Sequence, residues 1–512
     1  MRDCPTQGGD AAVRLADERD CLMAETLDKS TGLRHRRLVA PPGHDMTNPA
    51  TARHPEPPVE PDPPPASKNP LLDGPILPTL LRLATPNVIA LTAGVGVVVA
   101  ETSYIGRLGT APLAGMALVF PFVILTMTMS GGAMGGGVSS AIARALGAGD
   151  TARAAMLAIH ALMIGVCFGL IFMVGMLLFG PQLLALLGGR GQVLAEATSY
   201  IQIFFAGAVI PWLMNTLASI LRGTGNMKLP SALVLTSAAL QIVLGGTLAL
   251  GLGPAPQLGM RGVALGTLIA FSFSVITMGW YLLAGYGRVR LTMPRFRIQR
   301  DMFFDILKVG AIACFSPLQV VLAATIFTRF LADFGAEVLA GYGIGARLEF
   351  MLTSIAFAVG VASVPMVGMA IGAGQVARAR RVAWTAGLVS FTSVGIVAGF
   401  IAVFPHLWVN LFTDDPAVRA ASRHYLNIAA PFFAFIGLNI SLYFSSQGAA
   451  KVLGPVLSQT MRLVFLTAGG AWLLSLGATP TQYFTLTATS MVLLGGFCAA
   501  VVYFTPWGPR RP

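Results

Sequence analysis

Of the ten Asp and Glu residues beyond position 75, only Glu101 and Glu349 stand deep within long apolar runs. A carboxyl group shielded from bulk water changes its charge or coordination when it takes up a cation. Such a group is where ion coupling would reside, because an acid inside a bilayer costs energy and is kept for a reason. Glu101 follows Leu83 by 18 residues, a rise of about 27 Å along a straight helix. That rise places it at the outer interface as a solvated carboxylate, unless Pro86 and Gly94 bend the helix and bring it inside behind the apolar residues 97–100. Inside, it would hold a proton, or bind sodium together with Thr102 and Gln241.

Glu349 follows Arg347 by two residues, so the two side chains leave a helix on different faces. Glu349 therefore either pairs with another base, Arg462 or Arg329, or meets substrate or cation. Arg462 is the one charge in residues 459–472 and itself needs a partner or water. Asn215, Gln241 and Gln319 are isolated amides on apolar helices, where side chains more often bond helix to helix than bind a ligand. His160 reads as an interior histidine rather than a proton relay.

Other chemistries find little support. The five cysteines, Cys4, Cys21, Cys167, Cys314 and Cys498, have neither pairable spacing nor neighbouring His partners, so neither a disulfide framework nor a metal site is expected. Six histidines, three of them (His35, His44, His54) ahead of the apolar body, are too few and too scattered for a membrane-embedded enzyme. The glycine runs at 131–132 and 135–137 lack the Gly-Lys-Ser/Thr ending of a phosphate loop, so no ATPase and no cofactor is expected. The 22 Met and 30 Phe residues can supply an adaptable surface for amphipathic cations where they line a cleft.

The elements that must position these residues follow from composition. The 512 residues are 55% hydrophobic and 11% charged, against roughly 25% charged in soluble domains. Residues 1–75 hold 21 of the charges and a run from Pro55 to Pro65 rich in proline. This segment is expected to be a disordered tail, with Met46 as an alternative start. The remaining body has 25 Lys and Arg against 10 acids, clustered between apolar runs rather than on a folded basic face, so no nucleic-acid partner is expected.

Twelve apolar segments of 20 residues or more follow from residue 78 to residue 506, each long enough to cross a bilayer as a helix. Alternate loops hold fourteen Lys and Arg against five, which puts both termini on the cytoplasmic side, the membrane being expected to be a bacterial inner membrane. The chain also repeats itself at 225 to 226 residues. Gly109-Thr-Ala-Pro-Leu-Ala-Gly115 returns as Gly335-Ala-Glu-Val-Leu-Ala-Gly341, and Leu146-Gly-Ala-Gly-Asp150 as Ile371-Gly-Ala-Gly-Gln375. Ser199-Tyr-Ile-Gln-Ile203 returns as His424-Tyr-Leu-Asn-Ile428, and Gly223 maps to Gly448.

A duplicated unit of six helices has both copies facing the same way. The expected fold is an all-α membrane protein of twelve transmembrane helices in two six-helix lobes, related by an internal parallel repeat. Its divisions are a tail at 1–75, lobes at 76–286 and 303–506, an inter-lobe loop at 287–302 and a second tail at 507–512.

These residues resemble the multidrug and toxic compound extrusion family. Glu101-Thr-Ser-Tyr-Ile-Gly-Arg-Leu-Gly109 is similar to that family's acidic-Thr-x-x-x-Gly-Arg-x-Gly pattern, with Glu in place of Asp. Arg144-Ala-Leu-Gly-Ala-Gly149, Leu221-Arg-Gly-Thr-Gly-Asn226, Leu258-Gly-Met-Arg-Gly-Val-Ala-Leu-Gly-Thr267 and Ala340-Gly-Tyr-Gly-Ile-Gly-Ala-Arg-Leu-Glu349 extend the likeness over residues 77–505. The chain departs from it in helix 5, where the family's Asn and Asp become Gln241 and Gly245, and in helices 7 and 10, where Pro317-Leu-Gln-Val-Val and Phe435-Ile-Gly-Leu-Asn-Ile stand in place of the stretches that carry an acid in some relatives. The resemblance implies an antiporter that exports organic, largely cationic compounds in exchange for H+ or Na+, acting as a monomer within membrane lipid. The alternative is a lipid-linked oligosaccharide flippase, whose more cationic cleft would use Arg329, Arg347 and Arg462.

Overall fold

A computed structural model of the chain describes residues 69–291 and 298–508. Most of the Pro-rich tail, part of the loop before helix 7 and the last four residues lie outside these. Among the described residues every regular element is helical. The long helices are α1 (Ile76–Leu108), α2 (Thr110–Gly147), α3 (Thr151–Leu186), α4 (Gly191–Ala206 and Val209–Gly223), α5 (Lys228–Leu250) and α6 (Met260–Ala284). They continue with α7 (Arg300–Ala332), α8 (Ala336–Gly372), α9 (Val376–Val403), α10 (Pro416–Gly448), α11 (Leu453–Ser475) and α12 (Pro480–Phe504). Ten are long and apolar enough to span a membrane, and the pair in α4, bent by 51°, makes an eleventh. α11 has the length at 23 residues, but Gln459 and Arg462 lower its apolarity.

The helices obey ordinary start and stop rules. Asp150 caps α3 through its carboxylate and Asp415 caps α10, each accepting backbone N–H bonds that no helical carbonyl can reach. α5 and α6 end at Gly251 and Gly285, both in the left-handed region that glycine enters without strain. α2 widens to a π-helical turn over Thr128–Met134, a distortion that commonly marks a functional stretch.

Burial divides the molecule into two ends. In α8 only Gly341, Ile344, Gly345, Leu348 and Leu352 are buried before residue 353, whereas Ala358 to Ala370 are buried without interruption. α2 shows the same change along its length. At the end bearing the basic loops, apolar cores contain residues of both sequence halves, such as Ala143 with Val359 and Met366. At the other end each half has its own core, one around Phe204 and one around Tyr425.

The seam at the basic end is reciprocal. A Cβ on Gly147 would lie 2.1 Å from the Met369 carbonyl oxygen, and one on Gly372 would lie 2.1 Å from that of Arg144. Gly223 approaches the Ser139 carbonyl as Gly448 approaches that of Val364. Each pair maps onto the other at the 225-residue offset read from the sequence. The Ser140 hydroxyl reaches the carbonyls of Gln447 and Gly448, Arg144 donates to Ser140 and Gly448, and Gln447 Nε2 donates to the Gly132 carbonyl at 3.3 Å.

Within the segment read as tail, Pro70–Asp73 forms one helical turn and buries Leu71. Arg378 donates to the carbonyls of Leu71 and Gly74, Arg288 donates to Asn69, and the Leu71 side chain lies over Gly225. This turn therefore ties the α4–α5 connection and the residues after α6 to the start of α9. Leu71→Ala should lower the stability of the protein by about 2 kcal/mol, read as a drop in melting temperature in detergent.

α7 also crosses the sequence division. Its first part buries Met302, Ile306 and Val309 among residues of α2 and α3, and Asp305 accepts from Arg153 of α3 and Lys308. Beyond Cys314 it joins the other half, burying Phe327 and Leu331 there.

Candidate functional site

Glu101 is 7% exposed, on the inner face of α1. Its Oε1 accepts a hydrogen bond from Gln241 Nε2 of α5 at 2.7 Å. The two residues read as partners in the sequence are thus brought together. Thr102 is not part of the pair: its side chain is on the exposed face, and its hydroxyl donates to the Val98 carbonyl of its own helix at 2.8 Å.

One turn beyond Glu101, Tyr104 brings its hydroxyl into the same interior, without a hydrogen-bond partner among the described residues. Gly245, one turn beyond Gln241, explains how the ring fits, since a Cβ there would lie 2.6 Å from the Tyr104 hydroxyl oxygen. The position where the family resemblance expects Asp is occupied instead by phenol from α1. Tyr104 escaped the sequence reading because a tyrosine on an apolar helix looks like packing. Gly245→Ala should lower the melting temperature, and adding Tyr104→Phe should restore it, because the nearest remaining atom is then the ring carbon at 3.5 Å. A double mutant no more stable than the single one would show that the crowding lies elsewhere.

This acid has no twin. At the 226-residue offset Glu101 maps onto Phe327, which is buried in an aromatic group with Tyr342. The second half places its own acid, Glu349, on α8 beside a small cavity lined by Leu352, Thr353, Val394, Phe433, Ile436 and Gly437. No ion pair joins Glu349 to Arg462 or Arg329 among the described residues. Arg329 pairs with Asp333 on a well-exposed turn, Arg347 covers the Phe412 ring at 5.4 Å, and Arg462 Nε donates to Ser490 at 3.4 Å.

The isolated amides act between helices. Asn215 of α4 donates to Ser130 in the π-helical turn of α2 at 2.8 Å, and Gln319 of α7 donates to Thr460 of α11 at 2.6 Å. His160 contacts the Met156 carbonyl through Nδ1, accepts from Gln299 N–H through Nε2 and meets Phe303 edge-on, so it anchors the start of α7. The geometry as a whole offers one buried carboxylate with an amide donor, set in one half of a molecule whose halves touch at one end.

The MatE family profile matches twice, over residues 88–247 and 313–473, once in each half of the repeat. The FAD transporter of Shewanella oneidensis is 26% identical over 77% of this chain and 87% of its own length. The probable multidrug resistance protein NorM of Thermotoga maritima is 24% identical over 74% of this chain and 81% of its own. A solved structure of a MOP superfamily transporter from Pyrococcus furiosus, 22% identical, superposes with a TM-score of 0.78 over 85% of this chain and 98% of that one, a likeness of fold.

Proposed function

This chain belongs to the MatE family of multidrug and toxic compound extrusion transporters, which are not enzymes, and we propose that it exports organic, largely cationic compounds in exchange for H+ or Na+. Two six-helix lobes, the first built from α1–α6 and the second from α7–α12, alternate in opening to either side of a bacterial inner membrane. The doubled profile match and the reciprocal glycine contacts support this division. The alternation of loop charge makes the sealed basic end the cytoplasmic one, with both termini there, so the conformation described is the outward-facing one.

The observation that carries the reading is the buried Glu101 bonded to Gln241. A carboxylate in so dry a place is stabilised by a bound cation, and its neutralisation changes what α1 and α5 share. Two states of that pair give the first lobe two shapes, which is what exchange requires. Thr102 supplies no ligand in this conformation, so the pair and the nearby Tyr104 hydroxyl are the groups available to the ion. Arg329, Arg347 and Arg462 are each engaged by a neighbour of their own, Asp333, the Phe412 ring and Ser490, which favours the antiporter over the flippase alternative.

Transport into inside-out vesicles tests this. Ethidium should accumulate when a proton or a sodium gradient is imposed in the exchanging direction, and should not when neither is present. Accumulation indifferent to both gradients would overturn the antiport reading.

A further inference from the structure

Where α2, α4, α8 and α10 meet at the seal, a small cavity is lined by Ser139, Ser219, Arg222, Val361, Val364 and Phe444 together with glycines of α2. Its charged lining is entirely basic. Arg222 takes part in no ion pair or side-chain hydrogen bond among the described residues, and its Nε is buried without a partner. The Ser139 hydroxyl is likewise buried and unpartnered, while Ser219 donates to the Asn215 carbonyl at 2.7 Å. A guanidinium keeps its charge under all ordinary conditions; Arg222 as a residue is only partly buried, but its Nε donor is dry and unpaired, which is costly.

Neighbouring charges do not relieve it. Arg144 is occupied by Ser140 and Gly448, and Asp305 is held by Arg153 and Lys308. The repeat sharpens the point. At the 225-residue offset Arg222 maps onto Gln447, which is neutral and spends its amide on the Gly132 carbonyl across the seam. The first lobe thus carries at this position a charge and a free fork of donors that its twin does not. Phe444, edge-on to Phe357 at 4.9 Å, adds an aromatic wall beside the guanidinium.

We propose that Arg222, with the Ser139 hydroxyl, receives the anionic group, a phosphate or carboxylate, of an aromatic compound loaded from the basic end. This rests on the transporter reading and widens its substrate class beyond cations. A forked guanidinium matches the oxygens of either group with parallel hydrogen bonds. Because the site lies at the seal, it becomes reachable when that end opens, and its ligand leaves with the outward turn.

Riboflavin and riboflavin 5′-phosphate share an aromatic body and differ by one phosphate. In inside-out vesicles of zwitterionic lipid holding the full chain, the phosphorylated compound should show a KM lower by roughly tenfold or more, the worth of one charge-assisted hydrogen bond. Arg222→Gln should erase that preference, lowering kcat/KM for the phosphorylated compound by roughly tenfold more than for riboflavin or ethidium, and Arg222→Lys, which keeps the charge, should restore part of it. Equal loss for all three compounds would make Arg222 a packing residue and overturn the proposal, as would no preference in a wild-type preparation that still moves ethidium. Abolition of the preference by added anionic lipid would assign the site to headgroups and also overturn it. If ethidium itself is not moved, it is the antiporter reading that fails.

Discussion

Glu101→Gln should reduce ethidium export against a gradient to the level of vesicles without the protein, a loss of at least about 100-fold, while leaving the amount of protein in the membrane unchanged. The amide has the shape of the acid, and its carbonyl oxygen can still accept from Gln241 Nε2, so the 2.7 Å contact between α1 and α5 survives. What disappears is the ability to alternate between charged and neutral. A residue needed only for helix packing would tolerate this change, since exchanging one hydrogen-bonded polar group for another costs little. Export that continues undiminished would remove Glu101 from the mechanism. Export that is lost under a proton gradient and a sodium gradient alike, with ethidium still binding, would locate the defect in coupling. Gln241→Leu offers a second measure: it strands the carboxylate without its donor, and should weaken coupling while sparing the ability to take up charge.

Much of this site was legible in the sequence, for reasons that individual residues make clear. Acids are so costly in apolar helices that Glu101 announces itself by residue type alone, and its setting about seven turns into α1 was open only as to depth. Gln241 drew notice because it is the one amide in α5, in a stretch otherwise apolar from Ala238 to Gly246. Thr102 failed for a simple geometric cause: adjacent residues on a helix point about 100° apart, so a neighbour of a buried acid faces elsewhere, and a threonine there satisfies itself on the preceding turn. Tyr104 lay on the right face one turn away, and only the close approach at Gly245 reveals where its hydroxyl ends.

The fold shows the same division. The 225-residue repeat foretold the reciprocal glycines, because backbone can approach backbone only where side chains are missing. Nothing local foretold that the first part of α7 would lie among α2 and α3, since the packing of Ile306 and Val309 is decided by partners 150 residues away. The isolation of Arg222 was equally hidden. In sequence it is one more basic residue at a helix end, and its want of a partner emerges only when four helices close around it.

The seal itself gives the other large expected effect. Gly372→Val should abolish transport and expose the seam, because its Cβ would lie 2.1 Å from the Arg144 carbonyl oxygen. Backbone oxygen cannot rotate away as a side chain does, so α2 and α8 must part by on the order of 1 Å or more to restore ordinary contact distance. That displacement falls on the end where Ala143 and Ala370 are fully buried and the two sequence halves share a core. Gly147→Val should act identically, since it meets the Met369 carbonyl at the same 2.1 Å by the symmetry of the repeat. In a cysteine-free background carrying Ala143→Cys, alkylation by an impermeant maleimide applied from the basic side should then rise by roughly tenfold or more, as local protection is lost. Gly175→Val is the matching control: no atom lies within 4 Å of a Cβ at that position, so neither transport nor labelling should change. If Gly372→Val keeps the cysteine protected and transport intact, the contact between α2 and α8 is not the gate, and closure at this end must be achieved by other residues.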